Sequence, residues 1–380
     1  MGPLRIAQVA PYLRPHVGGV ESHVETVSAE LARRGHDVVV YTSAQPGAPD
    51  EERVDGYRIA RVRAWANLFT TPVTPGLGRA LASAPCDVVH AHSPPPLSAW
   101  FAARWAAGAR VPFVLTYHCD LEIPLWGGAA VVETYRRTLG LGTVRRADAV
   151  VATTRTYAQT SRALWRRSDV DVVPNMVDAR RFHPERGDAG LRERHGLGER
   201  PVALFVGRLT HHKGVEEFVR AAASTGPDVA HVVVGDGPRR AALEAEARRV
   251  APGRVLFVGR VPAEELPAWY RAADVGVLPS TSRLEAFGIA ALECMASGRP
   301  VVVSRMPGVE EVVEDGVTGL HADPLDAGDL AAKIVRIARD RELAAAMGKA
   351  ARARVEERYA TEHVVDAIEA VYRRVLRQDR

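Results

Sequence analysis

The chain has 380 residues, 47% hydrophobic and 25% charged, with a net charge of +4; that length favours two domains over a single core, and the balance excludes a disordered or fibrous chain. No apolar run approaches the roughly 18 residues of a membrane helix, and the start lacks the apolar core of a secretory leader. Cys86, Cys119 and Cys294 are odd in number and far apart, so neither a disulfide framework nor a metal knuckle is expected, and a reducing cytoplasm is the expected compartment.

Short Val/Ile/Ala runs alternate with helical patterns throughout, which predicts an α/β protein with parallel sheets. In the first half the predicted strands are Ile6–Ala10, Val38–Thr42, Val88–Ala91, Phe113–Tyr117, Ala149–Ala152 and Val170–Val173, with a helix over Val20–Arg34 stopped by Gly35. In the second half they are Val202–Val206, His231–Val234, Val255–Val258, Val275–Leu278 and Val301–Ser304, nearly continuous apolar runs as expected for strands covered on both faces. The pattern resets over Pro174–Pro184, which places a domain boundary between residues 1–175 and 176–361; the last helix, within 362–380, is expected to return to the first domain. Residues 1–175 carry 19 Lys and Arg against 15 Asp and Glu, while the remainder is neutral. A basic first half suits an acidic acceptor or an anionic membrane surface; the arginine bias itself says nothing of nucleic acid, and none is expected as a partner.

In open α/β sheets ligands sit beyond the carboxyl ends of the strands, so the residues just past each strand are informative. Gly18-Gly19 precedes the first helix, where backbone amides can approach a phosphate. Tyr117 leads to His118 and Asp120. Val206 leads to Gly207-Arg208 and Lys213-Gly214, two cations in one strand-to-helix turn, suited to a departing diphosphate. Val234 leads to Gly235-Asp236-Gly237-Pro238, which fails the dinucleotide fingerprint because Arg240 stands at the third glycine position; a tight turn with the proline starting a helix is the expected reading. Leu278 leads to Glu285, Phe287, Gly288 and Glu293: Glu285 is expected in the turn, Glu293 inside an apolar helix where its charge needs a partner, and the Phe287–Gly288 amides at the helix start. Acids for hydroxyl groups and cations for phosphate together suit a nucleotide sugar. His211-His212 and His90-x-His92 lack clustered Cys, Asp or Glu, so no metal is expected; Asp169-x-Asp171 runs into a strand and reads as a surface turn.

With Gly18-Gly-Val-Glu21, Thr116-Tyr-His118-Cys-Asp120, Val173-Pro-Asn-Met-Val-Asp178, Gly207-Arg208…Lys213-Gly214, Gly235-Asp-Gly-Pro238 and Glu285…Glu293 assembled, the chain resembles the retaining glycosyltransferases of family 4 over essentially its whole length. Met176 departs from the glycine usual in the linker motif. The resemblance implies the GT-B fold, two Rossmann-like doubly wound domains with parallel sheets facing across a cleft, and same-face transfer of a sugar from a nucleotide-diphosphate donor to an acceptor hydroxyl, without cofactor or metal. It implies that Arg208 and Lys213 hold the diphosphate, with Gly19 assisting from the first domain. Glu293 would take the ribose, Glu285 with the Phe287, Gly288 and Ile289 region the sugar hydroxyls, and His118 the transferred sugar; Arg260 would pack on the base. Gly18, Gly207, Asp236 and Gly237 complete the donor-side set. The acceptor is expected on the first domain, over Trp65–Pro75 and Leu121–Arg137, with Asp120 and Trp126 facing it alongside Trp65, Phe69 and Tyr135. That acceptor is a lipid-linked molecule or glycan at the inner face of the membrane, or a small metabolite. A non-catalytic nucleotide-sugar sensor is the alternative, and a dehydrogenase is disfavoured by the failed glycine fingerprint.

Overall fold

The computed structural model describes residues 2–16, 18–68, 71–123, 126–188 and 190–378. The chain forms two compact units, Met1–Asn175 with Thr361–Arg380, and Met176–Ala360.

The first unit is an eight-stranded sheet. Its strands are β1 (Arg5–Val9), β2 (Asp37–Ser43), β3 (Glu51–Val54) and β4 (Tyr57–Val62), then, beyond a small antiparallel ribbon of β5 (Ala66–Leu68) and β6 (Thr71–Val73), β7 (Val88–Ser93), β8 (Phe113–Tyr117), β9 (Ala149–Ala152) and β10 (Val170–Val172). The order is 10-9-8-7-1-2-4-3, parallel except for β3. The predicted first-half strands are all present within a residue or two. Strands β3 and β4 were not expected: they are a polar hairpin turned by Asp55 and Gly56, both at positive φ, and only Tyr57, Ile59 and Arg61 of their residues are buried, so no apolar run marks them.

Helices cover both faces. On one face Ala7, Val9, Val89, Ala91 and Leu115 join an apolar core with the helix Pro96–Ala109. The other face of the same central strands is polar: Gln8 lies beside His90 in register, and His92 beside Thr116. This polar stripe is buried, with Gln8, His90 and His92 showing no exposure. The helix Gly19–Arg33 and the last helix, Thr361–Gln378, lie on this unit. Tyr372 of the last helix bonds both Gln8 and His90, while Arg34 pairs with Asp366 and Glu369.

The second unit has strands β11 (Val202–Val206), β12 (Ala230–Val234), β13 (Val255–Gly259), β14 (Val275–Leu278), β15 (Val301–Ser304) and β16 (Gly319–Ala322), all parallel, in the order 13-12-11-14-15-16. That is the doubly wound Rossmann order, with the switch point between β11 and β14. Apolar clusters cover both faces, one around Leu204, Val232, Leu292 and Met295, the other around Phe205, Phe218, Val302 and Ile334. The helix after β12 begins at Arg240, two residues beyond Pro238, which sits in the turn instead of opening the helix. Met176, which departs from the family pattern, is buried where the second unit begins.

Candidate functional site

At the switch point of the second unit the loops after β11, β12, β13 and β14 are stitched backbone to backbone. Gly207 N–H donates to Val234 O (3.0 Å), Leu209 N–H to Asp236 O (3.0 Å), Gly235 N–H to Gly259 O (2.8 Å) and Thr281 N–H to His212 O (2.9 Å). This closeness explains the glycines. A Cβ on Gly214, at φ +64°, would stand 1.8 Å from Pro279 O; one on Gly235, at φ +138°, would stand 1.9 Å from Gly207 O. Gly237 likewise lies under Leu209, whose carbonyl oxygen would be 2.6 Å from its Cβ. Gly207, Gly235 and Gly237 therefore shape the loops before they touch any ligand. Asp236 is exposed; its carboxylate accepts from Gly237 N–H (2.7 Å) and lies 3.8 Å from Arg240.

The stitching brings the two motifs together. Lys213 forms an ion pair with Glu285, both side chains mostly buried. Arg208 is exposed and its guanidinium has no hydrogen-bond or ion-pair partner among the described residues, though its charge reaches His212, whose imidazole pKa is held below its usual value by burial first, then by Lys213 and Arg208. Two cations thus stand in one loop, one held by a carboxylate and one free.

Beyond Glu285, Phe287 is buried in the apolar core, and Gly288 at φ +92° caps the helix Ile289–Ala296. In the first turn of that helix Ala291 N–H donates to the Gly288 carbonyl (2.9 Å), while the Ile289 amide has no hydrogen-bond partner among the described residues. Glu293, five residues in, accepts a 2.7 Å hydrogen bond from the Tyr270 hydroxyl. Loss of hydration pushes the Glu293 carboxyl up to about 7, against opposing pulls from Tyr270, Arg181 and Lys213. Tyr270 was not expected: it lies on a different helix, Leu266–Ala272, and no motif marks it. Arg260 follows β13, exposed, without a hydrogen-bond or ion-pair partner among the described residues.

In the first unit, His118 immediately follows β8. Its backbone N–H donates to Ser93 O (2.7 Å), and its ring Nε2 lies 3.0 Å from His92 Nδ1. His92 Nε2 is 2.9 Å from Gln8 Oε1. A carbonyl oxygen only accepts, so with Gln8 placed this way His92 carries its proton on Nε2. His92 Nδ1 is then the acceptor, His118 Nε2–H the donor, and His118 Nδ1 is left with a free lone pair. Gln8 Nε2–H in turn donates to Tyr372 (3.1 Å), and Tyr372 reaches His90 Nδ1 at 2.7 Å. One hydrogen-bonded chain therefore runs from the last helix to His118. Burial holds the His118 and His92 rings well below the usual imidazole range and takes His90 to about 3, so all are neutral at physiological pH.

His23, on the first helix, packs edge-on against His118 with ring centroids 5.1 Å apart. Among the described residues neither of its nitrogens is within hydrogen-bond geometry of a partner, and Asn175 is the polar side chain nearest to serving as one. His23, His92 and His118 each offer a nitrogen within 4.8 Å of the others. The sequence spacing gave no metal cluster, and the fold supplies the geometry of one from residues 69 and 26 apart. In the arrangement described, His92 Nδ1 and His118 Nε2 are joined to each other by a hydrogen bond and His92 Nε2 faces Gln8, so two of the three rings are linked directly.

Gly18 caps the first helix with extended backbone, and the Glu21 carboxylate folds back over it, so that a Cβ on Gly18 would meet Glu21 Oε2 at 2.4 Å. Glu21 pairs with His16 (3.0 Å). Gly19 is exposed at the helix start. The Asp120 carboxylate accepts from Tyr117 (3.1 Å), Ser161 (2.6 Å) and the Arg162 amide (3.4 Å), which commits it to holding its own loop. Trp126 is fully exposed and Trp65 largely so; Phe69 lies outside the described residues. Asp169 and Asp171 pair with Arg167 and Arg374, which accounts for both carboxylates of that D-x-D.

Residues 17–181 match the family description "Glycosyltransferase Family 4", and residues 190–354 match "Glycosyl transferases group 1". The chain is 32% identical over 352 residues to a GDP-mannose-dependent alpha-(1-6)-phosphatidylinositol monomannoside mannosyltransferase of Mycolicibacterium smegmatis, covering 89% of this chain and 90% of that one. The chain belongs to family 4 of the glycosyltransferases. It is also 30% identical over 388 residues to a 2-deoxystreptamine glucosyltransferase of Streptomyces kanamyceticus, covering 93% and 98%. Among solved structures, a sucrose-phosphate synthase from Thermosynechococcus elongatus superposes with a TM-score of 0.83 at 25% identity, covering 99% of this glycosyltransferase and all of that chain. The fold is accordingly GT-B, and the protein is an enzyme that transfers sugar from a nucleotide-sugar donor.

Proposed function

We propose that this enzyme moves a hexosyl group from a nucleoside-diphosphate sugar to an acceptor hydroxyl with retention of anomeric configuration and without a metal ion. The observation that carries the reading is the Lys213–Glu285 pair, which joins the phosphate-type motif after β11 to the hydroxyl-type motif after β14 in a single site. Arg208 and Lys213 neutralise the diphosphate as it departs, the task a metal ion would otherwise perform. Gly19 adds a backbone amide from its helix start. Glu293 accepts from the ribose hydroxyls, Glu285 and the Phe287–Ile289 amides hold the sugar, and Arg260 packs on the base. His118 presents its Nδ1 lone pair to a hydroxyl of the transferred sugar. The leaving phosphate takes the acceptor proton on the same face, so no side chain acts as a covalent nucleophile.

The mannosyltransferase relative carries GDP-mannose in its name and the aminoglycoside relative glucose, so the donor screen begins with GDP-mannose and UDP-glucose. We place the enzyme in the cytoplasm with its basic first unit in contact with the inner membrane face, acting on a lipid-linked acceptor. All three cysteines are free thiols, which suits that compartment.

The test is release of nucleoside diphosphate from UDP-, GDP-, dTDP- and ADP-sugars, each with and without EDTA, followed by NMR of the product's anomeric proton. Turnover with one donor, unchanged by EDTA and giving the donor's own anomeric configuration, supports the proposal. An inverted product overturns the same-face mechanism, and loss of turnover with EDTA overturns metal independence.

A further inference from the structure

Away from the donor loops, the first unit carries an open groove of about 850 Å³ between the residues following the helix Gly128–Tyr135 and the segment that leads into β10. Among the described residues six arginines line it, against Glu133 and Asp169 as its acids. That formal surplus of four equals the net charge of the entire chain. Three of the arginines are partly neutralised: Arg136 and Arg137 pair with Glu133, whose carboxyl they pull down to about 2, and Arg167 pairs with Asp169. The other three, Arg145, Arg162 and Arg166, have no ion-pair partner among the described residues.

The floor is apolar. Leu141, Val144 and Ala163 contribute to it, and Trp165 adds an indole 56% exposed with the Arg166 guanidinium 4.5 Å from its centre. Trp126, wholly exposed, stands just before the helix that leads into the groove. One side of the groove passes through a π turn, Arg136–Gly140, a departure from regular helix often found at functional sites. Unpaired guanidiniums call for phosphate, which they grip in a planar fork. Apolar floor and exposed indoles call for the boundary between headgroup and acyl chain, where tryptophan partitions. A free phosphate satisfies only the arginines, and a nucleic acid gains nothing from the aliphatic floor.

We infer that this arginine groove docks on an anionic phospholipid surface, its guanidiniums on headgroup phosphates and Trp165 at the acyl boundary. The inference rests on the membrane contact proposed above and names the surface that makes it.

The test is co-sedimentation of the full chain with phosphatidylcholine vesicles with and without phosphatidylglycerol. Alongside it runs quenching of tryptophan emission by brominated acyl chains, comparing the wild type with Trp165→Phe. The wild type is expected to bind only the anionic vesicles, and less at high salt. Each of Arg145→Ala, Arg162→Ala and Arg166→Ala is expected to weaken binding roughly fivefold, and the three together roughly a hundredfold, with donor hydrolysis and thermal midpoint unchanged. The three Arg→Lys changes together, which keep the charge but not the planar fork, are expected to bind between the wild type and the triple alanine variant. A wild type that ignores anionic vesicles overturns both this inference and the membrane reading. A triple alanine variant that binds like the wild type overturns the groove while leaving the membrane reading in place. Release by inorganic phosphate with no quenching through Trp165 overturns the bilayer in favour of a soluble phosphate ligand.

Discussion

Lys213 and Glu285, 72 residues apart, close on each other as an ion pair between the loops that follow β11 and β14. In the family reading the two have separate tasks, one on the diphosphate and one on the sugar, so the arriving diphosphate must draw Lys213 away from a carboxylate that already holds it. Glu285→Gln removes that competitor. Nucleoside-diphosphate affinity is expected to rise a few-fold by calorimetry, while turnover falls by about 10²–10³ because a sugar contact made in the transition state is gone. Weakened diphosphate binding in Glu285→Gln would contradict the competition.

Arg208 has no such competitor and Lys213 has one, so the two cations should not be equivalent. Lys213→Ala and Arg208→Ala are each expected to cost about 10²–10³ in turnover, Arg208→Ala with an unchanged thermal midpoint and Lys213→Ala with a lowered one, because it strands the mostly buried Glu285 carboxylate. Lys213→Ala also leaves the Glu285 carboxylate without its partner, so only for that pair should the combined loss with Glu285→Gln be smaller than the product of the two single losses. A double-mutant cycle on kcat/KM measures this; full additivity would show that the ion pair does not matter to the reaction.

Much of this was legible in the sequence, and what was not has physical reasons. The apolar central strands declared themselves because both faces are covered; β3 and β4 did not, being polar and partly exposed, nor did β16, whose Gly-Leu-His-Ala carries no β-branched run. The cation and acid motifs could be read because each is local to one turn. Tyr270 beneath Glu293, and the chain from Tyr372 through Gln8 and His92 to His118, could not, since their partners lie 23 to 364 residues apart in sequence and meet only through sheet order and the returning last helix. His23 looked like any polar residue on an amphipathic helix, and only the fold turns it toward two other histidines.

Glu293 supplies a pH prediction. Its carboxyl is raised to about 7, chiefly by loss of hydration, so near neutrality it is only partly ionised. Ribose hydroxyls donate, and they bind the ionised form. Nucleoside-diphosphate affinity should therefore climb as pH rises through about 7, and this climb should be absent in Glu293→Gln, which corrects for titration of the ligand's own phosphate. The stability effect has the opposite sign. A folded carboxyl that holds its proton above the unfolded value loses stability as pH rises, so Glu293→Gln should be at least as stable as the wild type at pH 8. An identical pH profile of affinity in both proteins would remove Glu293 from the ribose.

Gly214 offers a check on the loop architecture that needs no substrate. At φ +64°, with Pro279 O in the way of any Cβ, Gly214→Ala must either strain the backbone or part the β11 and β14 loops. A loss of about 2–4 kcal/mol in denaturant unfolding is expected, with diphosphate binding falling as Lys213 and Glu285 separate. The exposed Gly253, which has open space around its Cβ direction and also sits at positive φ (+71°), is the control: Gly253→Ala carries the backbone strain without the clash and should cost only about 1 kcal/mol.

The buried histidines make the first unit acid-sensitive. His23 is held at about 4 and His90 at about 3, while His92 and His118 lie well below their usual value, in every case first because burial disfavours the imidazolium. Depressed folded values mean that the unfolded chain takes up protons first, so the stability is fully present above pH 6.5 and drains as pH falls below it. With four such groups the slope approaches about 5 kcal/mol per pH unit once all are titrating in the unfolded state. Urea melts at pH 7, 6 and 5 should show this, and His90→Gln should reduce the slope by about a quarter. Turnover above the acid transition should show no imidazole limb from His118, because that ring stays neutral throughout. Tyr372→Phe, which removes the hydroxyl tying Gln8 to His90, should lower kcat more than it changes donor KM, and ¹⁵N spectra should show His118 no longer fixed with its proton on Nε2. An unaltered His118 tautomer in Tyr372→Phe would show that the ring is oriented by His92 and the β8 backbone alone, with no contribution from the last helix.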